Sequence, residues 1–371
     1  MKIGYVTTTI ESANGGWGRY SKSLIETMGP GNNAVVLTES FANNDPIDPS
    51  IKVVKVLPSH HSSNVTQQIR IFISCVRYLG GCQVIHCLTE PFAPGLALYC
   101  FLTRKKFVIT LHGTYSNPEA LGRAMRFLMY YALKFASILT TGSFNTEEKA
   151  REFFKFNECR FIPNGVDEKV FKHMPELTKQ RFMLTVGAVK ERKGADVGID
   201  ALALLKDEFP DLIYKIVGSK GKDSFITILN EKIKQHNLGN RVEFVDNVND
   251  TELVKLYNQA MVFILAARDD HGHFEGFPMV FYEANICGTP VISTVGFGSE
   301  YAIKNDESGF VVSPNNPKEV ADKVRSLLRD SALYSKLVQG ALREGNLHIW
   351  ANIRPQLELF YDDAFKPPKK P

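Results

Sequence analysis

The sequence predicts an α/β protein with two doubly wound parallel sheets. Short apolar runs alternate with helical patterns over the first half of the 371 residues, and the alternation restarts after a segment rich in turn and charged residues. Strands that alternate with helices pair in parallel, and this length allows two domains with separate cores. We therefore predict a first domain over residues 1–170 and a second over residues 175–349.

Each predicted element of the first domain follows from hydrophobic periodicity. The helical spacing of Ile69, Phe72, Ile73, Val76 and Leu79 predicts a helix, and parts of 121–135 share that period. The apolar runs predict strands at residues 2–6, 34–38, 53–56, 84–88, 107–111, 137–141 and 160–162.

The second domain repeats the same alternation after residues 164–180. Its predicted strands are residues 182–186, 213–217, 242–245, 262–265, 291–293 and 310–312. Its predicted helices are residues 195–209, 225–236, 251–260, 278–287 and 317–328. In open parallel sheets, ligands bind beyond the carboxyl ends of the strands.

Composition limits the classes of partner and compartment. The net charge of +4 gives no case for nucleic acid, and residues 1–170 carry 18 Lys or Arg against 13 Asp or Glu. This basic bias fits an acidic ligand or an anionic membrane surface, with a solvated face as the alternative. Six scattered cysteines without a CxxC indicate a reduced, cytoplasmic protein. The chain opens directly into a strand, so we expect no signal peptide, and the apolar run at 92–102 is too short for a membrane span.

A pair of glutamates frames the most informative segment. Pro278 begins a predicted helix that leaves the N–H groups of Met279 and Val280 unpaired at the positive end of its dipole. Such a helix start binds anions. Glu275 lies just before it and Glu283 about a turn and a half inside, so this segment has groups for the phosphates and hydroxyls of a nucleotide sugar.

Three further loops are candidates for the same site. The glycine-rich loop at 12–19 allows close approach of a bulky anion, but it lacks the GxGxxG pattern of nicotinamide sites, and a plain tight turn is the alternative. Lys190, Arg192 and Lys193 precede a helix start and suit phosphate, with a solvated basic loop as the alternative. His112 ends a strand, where a site residue or a structural histidine is expected.

Close spacing of potential ligands also raises the question of a metal. Asp269, Asp270, His271 and His273 lie together, but local turn bonding by Asp is the simpler interpretation, and we predict no metal site.

By these residues, the chain resembles the family-4 retaining glycosyltransferases of the GT-B fold. The resemblance rests on EGFPMVFYEA followed by CGTPVI, and on GGWGR, IPNGVD and VGAVKERKG. It implies two Rossmann-like domains facing across a cleft, an acceptor-side domain first and a donor domain second. The final helix, residues 350–371, is expected to return to the first domain.

The resemblance also implies a role for each motif residue. Gly16 brings backbone to the donor diphosphate, His112 lines the sugar pocket, Arg192 and Lys193 neutralise the leaving diphosphate, and Glu275 contacts the donor sugar. The remaining donor contacts are Phe277, Met279 and Val280 through backbone N–H groups, Pro278 within the same segment, Glu283 to the ribose, and Asp246 and Asn247 along the base.

The chain departs from the family pattern in two places. Ala188 stands where the family often has Arg, so Arg192 is expected to supply that charge. Ala266, Ala267 and Arg268 stand where the family usually has Pro-Ser, which predicts a different sugar pocket.

The resemblance implies a metal-independent hexosyltransferase with no cofactor beyond a UDP-, GDP- or ADP-sugar donor. The implied acceptor is a polysaccharide, glycolipid or lipid-linked oligosaccharide. A nucleotide-sugar epimerase or hydrolase, or a non-catalytic nucleotide-sugar binding protein, remains the alternative. Residues 121–131 mix bulky apolar and basic side chains, which fits either peripheral contact with the inner face of the membrane or a buried core helix.

Overall fold

A computed structural model describes most of the chain. The described residues are 2–12, 15–29, 33–60, 64–113, 115, 121–221, 223–270, 275–276, 278–296, 298 and 302–365. The chain divides into two compact units. Unit 1 comprises Met1–Asn164 and Trp350–Pro371, and unit 2 comprises Gly165–Ile349.

Unit 1 is a seven-stranded parallel sheet with helices between its strands. The sheet order is β3-β2-β1-β4-β5-β6-β7. The strands are β1 (Ile3–Val6), β2 (Val35–Glu39), β3 (Lys52–Leu57), β4 (Val84–Cys87), β5 (Lys106–Leu111), β6 (Ile138–Thr141) and β7 (Cys159–Phe161). The helices are α1 (Gly16–Met28), α2 (Val65–Tyr78), α3 (Ala93–Thr103), α4 (Arg123–Phe135), α5 (Phe144–Phe153) and, at the end of the chain, α12 (Trp350–Phe365).

The last helix, α12, is part of the core of unit 1. It packs against α1, and Tyr361 is fully buried. Its hydroxyl lies 2.6 Å from Nδ1 of His86, whose Nε2 lies 2.8 Å from Oγ1 of Thr110. A buried polar network therefore joins the last helix to β4 and β5.

Unit 2 is a six-stranded parallel sheet in the order β10-β9-β8-β11-β12-β13. The strands are β8 (Gln180–Val186), β9 (Ile213–Val217), β10 (Val242–Val245), β11 (Ala260–Leu265), β12 (Val291–Thr294) and β13 (Gly309–Val312). The helices are α6 (Ala195–Leu205), α7 (Asp223–Gln235), α8 (Asp250–Gln259), α9 (Val280–Ile286), α10 (Pro317–Arg329) and α11 (Ser331–Leu347).

Some predicted bounds differ from the structure. The helix predicted at 278–287 is α9, which begins only at Val280 because Pro278 and Met279 form the preceding turn, where the Pro278 carbonyl accepts from Phe281. It is followed by Gly288 at φ +73°. The apolar run at 92–102 forms α3, which is largely buried. No helix within the described residues is long and apolar enough to cross a bilayer.

Candidate functional site

The basic loop predicted from the sequence, with Lys190, Arg192 and Lys193, lies at the carboxyl edge of the unit 2 sheet. β8 ends at Val186, and Gly187 turns the chain with φ +128°. A side chain at Gly187 would strain this backbone, and its Cβ would lie 3.0 Å from Nζ of Lys193. Glycine therefore lets the ammonium of Lys193 lie directly against the loop backbone.

A short 3-10 helix, Glu191–Lys193, orients the two cations before α6 begins. Gly194 follows at φ +67°, and any Cβ there would overlap the carbonyl oxygen of Ala266 at the end of β11. The loop after β8 is thus held against the end of β11, the neighbouring strand in the sheet.

Arg192 and Lys193 converge on one carboxylate. Both form ion pairs with Oε1 of Glu275, and Nζ of Lys193 lies 3.1 Å from it. Glu275 is only 7% exposed, and the Lys193 side chain only 12%. Burial lowers the pKa of Lys193 well below its usual value, with further lowering from Arg192 and Lys190. Burial also lowers the pKa of Arg192. Additional negative charge here would stabilise both cations.

The second glutamate of the motif lies in the first turn of α9. Glu283 is buried, and its Oε2 accepts a 2.9 Å hydrogen bond from the Tyr257 hydroxyl. Its charge acts on Lys193, whose pKa it raises. The two carboxylates and two cations therefore belong to one electrostatic cluster in unit 2.

The turn before α9 leaves backbone donors beside this cluster. The carbonyl of Met279 accepts from the N–H groups of Tyr282 and Glu283. Among the described residues, no backbone carbonyl outside α9 accepts a hydrogen bond from the N–H of Met279 or Val280. The glutamate segment is fixed further by the N–H of Gly298, which donates to the carbonyl of Glu275.

Arg268 secures the basic loop from the next strand. Its Nη1 lies 2.9 Å from Oδ2 of Asp196 in α6, and its N–H donates to the carbonyl of Arg192. It also pairs with Glu191 at 3.4 Å. Arg268 belongs to the stretch Ala266-Ala267-Arg268 that stands where the family usually has Pro-Ser, and its contacts hold the basic loop in place.

The other predicted donor residues of unit 2 are placed only in part. Asn247 follows β10 at the same sheet edge, exposed and with φ +56°. Phe277, His271 and His273 lie outside the described residues. Within the described ranges, no three His, Cys, Asp or Glu side chains are grouped so that they could hold a metal ion.

The two predicted site residues of unit 1 lie at the carboxyl edge of its own sheet. Gly16 is the exposed first residue of α1, after β1. His112 directly follows β5; its Nε2–H donates to the Leu88 carbonyl at 2.8 Å and its N–H to Oε1 of Glu90 at 2.6 Å. Burial lowers the pKa of His112 and so favours the neutral ring, although the charge of Glu90 acts in the opposite direction.

The structure thus groups Arg192, Lys193, Glu275 and Glu283, and places Met279 and Val280 in the same segment. Sequence reasoning missed Tyr257 and the anchoring contacts of Arg268. Tyr257 lies in an ordinary amphipathic helix, and no local pattern identifies it. The role of each predicted residue stays a prediction.

Sequence comparison identifies the family. The model of glycosyl transferases group 1 matches residues 166–343, and the model of Glycosyltransferase Family 4 matches residues 14–170. The chain belongs to these glycosyltransferases. The resemblance drawn from the motifs is confirmed.

Characterised relatives match over part of their length. Mannosylfructose-phosphate synthase of Agrobacterium fabrum is 27% identical over 55% of this chain and 47% of its own length. D-inositol 3-phosphate glycosyltransferase of Corynebacterium glutamicum is 28% identical over 48% of this chain and 42% of its own. The chain therefore spans about half the length of the curated relatives it matches.

Solved structures share the fold over nearly the whole chain. HepE of Anabaena, crystallised with UDP, superposes with a TM-score of 0.79 at 18% identity, covering 98% of this chain and all of that one. Sucrose-phosphate synthase of Thermosynechococcus elongatus gives 0.79 at 20% identity, covering 98% and 99%. The fold is GT-B, with two Rossmann-like parallel sheets, as predicted.

Proposed function

We propose that this chain is a retaining, metal-independent glycosyltransferase that transfers a hexose from a nucleotide-diphosphate sugar. Family membership supports the reaction class. The observation that carries the proposal is the pairing of Arg192 and Lys193 with buried Glu275, beside the turn that leads to Glu283.

This arrangement suits a diphosphate. Two cations largely removed from water have one carboxylate between them, and burial depresses the pKa of both. A diphosphate would add the negative charge that a buried pair of cations favours, with arginine as a bidentate partner and lysine as a point charge. The N–H groups of Met279 and Val280 would add backbone donors to phosphate and sugar hydroxyls.

The proposed chemistry is stabilisation of the leaving group. As the bond between the sugar and the diphosphate breaks, negative charge builds on the phosphate and positive charge on the sugar. Arg192 and Lys193 would stabilise that negative charge from preorganised positions, where one donor of this type typically contributes about 3 kcal/mol. These protein cations would stabilise the leaving diphosphate without a metal ion. Transfer should therefore persist after treatment with EDTA.

The two glutamates have separate roles in this scheme. Glu275 is paired with both cations and would lie beside the sugar, and Glu283, which accepts from Tyr257, would bind the ribose. Neither acts as nucleophile. The acceptor would attack from the face that the diphosphate leaves, and a phosphate oxygen would take its proton, so the product keeps the anomeric configuration of the donor. By the family pattern, Gly16 contacts the diphosphate, His112 the sugar, and Asn247 the base.

Relatives suggest the first substrates to test. HepE was crystallised with UDP-glucose, and glycogen synthase of Mycobacterium tuberculosis is 26% identical over 67% of this chain. UDP-hexoses are therefore the first donors to test, beside GDP- and ADP-sugars. The proposed acceptor is a polysaccharide, glycolipid or lipid-linked oligosaccharide.

Glu275→Ala tests the proposal most directly. A thermal-shift screen identifies the donor, since a ligand at a hundred times its dissociation constant stabilises a protein by about 2.7 kcal/mol. With that donor, Glu275→Ala should abolish transfer while the chain stays folded. The matched control is Glu243→Ala, which removes an exposed carboxylate of β10 paired with Lys215 at 3.3 Å. Near-wild-type turnover by Glu275→Ala would falsify the donor-sugar role.

The product distinguishes the proposal from its alternatives. Proton NMR of the new linkage shows whether the anomeric configuration is kept. Donor conversion without any acceptor would indicate an epimerase or hydrolase, and tight nucleotide binding without turnover on any acceptor would indicate a binding protein.

A further inference from the structure

Unit 1 exposes an extended apolar surface on three neighbouring helices. Ten of the eighteen large apolar side chains that are exposed in the described part of the chain lie on α2, α3 and α4, each between 41% and 62% exposed. We call these ten residues the apolar surface: Val65, Ile69, Ile73, Val76, Leu98, Phe101, Leu102, Phe127, Tyr131 and Phe135. Single exposed apolar residues are ordinary, but contiguous patches mark interaction sites.

The three helices are neighbours, with α2 packed against α3 and α3 against α4, so their exposed apolar residues lie on adjacent helices. α2 and α3 are in close contact where the N–H of Gly95 donates to Oε1 of Gln68 at 2.8 Å. A Cβ at Gly95 would lie only 2.6 Å from the Gln68 carbonyl oxygen. α3 and α4 meet where the rings of Phe101 and Phe135 lie 5.2 Å apart.

Each helix presents a stripe at helical spacing opposite its buried side. α4 buries Met125, Met129 and Leu133 and exposes Phe127 and Phe135, with Tyr131 between them. In α2, Ile71 and Cys75 are buried. The exposed stripe consists of Val65, Ile69, Ile73 and Val76. The exposed stripes are therefore additional to the apolar faces that build the core.

The described charged residues on α2, α3 and α4 are all positive. Six exposed cations accompany it: Arg70 and Arg77 on α2, Arg104 after α3, and Arg123, Arg126 and Lys134 on α4. The sequences of α2, α3 and α4 contain no Asp or Glu. Apolar stripes flanked by cations are typical of surfaces that lie in the headgroup region of anionic membranes.

We propose that the apolar surface docks on an anionic lipid bilayer and holds unit 1 at the membrane interface. The apolar side chains would enter the boundary between headgroups and acyl chains, and the six cations would lie against the lipid phosphates. A second copy of this chain is the poorer partner, because it would bring six like charges opposite six others. This inference is independent of the proposed transfer reaction.

Vesicle flotation with the full chain tests the inference. The chain should float with vesicles of phosphatidylcholine mixed with phosphatidylglycerol, and much less with phosphatidylcholine alone. Replacing Arg70, Arg123 and Lys134 by glutamine should weaken binding about fivefold for each cation removed, as expected from about 1 kcal/mol per charge. Added salt should weaken the wild-type chain in the same direction.

A pair of matched triple variants tests the apolar contribution. Ile73→Gln, Phe101→Gln and Phe127→Gln together should lower binding to the mixed vesicles by roughly tenfold or more. The control variant replaces Leu204, Ile228 and Leu347 of unit 2, which are similarly exposed, by glutamine. It should bind the mixed vesicles as the wild type does. Circular dichroism and melting temperature should be unchanged in both, since every replaced side chain is exposed.

Three results would overturn the inference. The wild type could stay at the bottom of the gradient with the mixed vesicles, or the control variant could lose binding as strongly as the apolar-surface variant. Sedimentation equilibrium could also reveal a dimer that the apolar-surface variant abolishes while vesicles bind neither protein, which would assign the surface to self-association. The outcome of transferase assays in detergent-free solution does not bear on this inference, because docking on lipid does not require turnover.

Discussion

Replacing Gly187 by alanine should disturb Lys193 without changing any charge. Gly187 has φ +128°, and its N–H donates to the Val217 carbonyl at 2.8 Å, so the backbone is held in a conformation that alanine adopts only with strain. Such strain costs about 1–3 kcal/mol of unfolding free energy. The new Cβ would lie 3.0 Å from both Cε and Nζ of Lys193, and the side chain must move away.

The movement of Lys193 should appear in nucleotide binding. Its Nζ lies 3.1 Å from Glu275, so a shift changes the position of a buried charge at the proposed diphosphate site. Loss of a charge-assisted hydrogen bond costs about 1.5–3 kcal/mol of binding free energy, which corresponds to a dissociation constant about 10- to 150-fold higher. Isothermal titration calorimetry with UDP, or with the nucleotide that the thermal-shift screen selects, measures this effect.

Three further variants isolate the cause. Gly239→Ala is the control, since a Cβ there meets nothing within 4 Å, and it should bind nucleotide as the wild type does. Gly187→Ala combined with Lys193→Ala should bind no more weakly than Lys193→Ala alone, because the glycine acts through that lysine. Unchanged nucleotide affinity in the Gly187→Ala variant would refute the reasoning.

Three other perturbations have defined outcomes. Arg268→Ala leaves Asp196 partly buried without its 2.9 Å partner, so urea unfolding should show a loss of about 2–4 kcal/mol and the nucleotide should bind more weakly; retained stability would contradict the anchoring role. Tyr257→Phe removes the donor to buried Glu283 and should cost about 1.5–3 kcal/mol by the same assay, with unchanged stability as the contrary result. Burial lowers the pKa of Lys179 to about 7. Between that value and about 10.4 only the unfolded chain holds the proton, so this lysine makes stability rise with pH by up to about 1.4 kcal/mol per unit. Lys179→Met should remove that rise between about pH 7.5 and about pH 8.5, and a slope equal to that of the wild type would be evidence against it.

Much of the fold follows from periodicity because both sheets are buried and parallel. The strands predicted at 213–217 and 242–245 have the same bounds in the structure. α2 shows the limit of this approach. Its periodic residues identify the helix correctly, yet Ile69, Ile73 and Val76 are exposed while Ile71 and Cys75 are buried. A helix with apolar residues on both sides does not specify by pattern alone which side faces the sheet.

The candidate site was predictable where chemistry is local in sequence. Glu275 and Glu283 are eight positions apart, and Arg192 and Lys193 are adjacent, so both pairs stand out in the sequence. The ion pairs between them are long-range, since they join loops that follow different strands. Tyr257 and the contacts of Arg268 were missed for the same reason: each residue acts through a partner in another element, and only the folded sheet brings the partners together.

The place of α12 in unit 1 has a consequence for synthesis of the chain. Unit 2 is continuous in sequence, whereas unit 1 is completed only by the helix Trp350–Phe365. As the chain leaves the ribosome, unit 2 is therefore available in full before unit 1 is. Until Tyr361 emerges, His86 lacks one of its two side-chain hydrogen-bond partners, and the α1 surface that packs against α12 is uncovered. Unit 1 can therefore complete its core only after all of unit 2 has been synthesised.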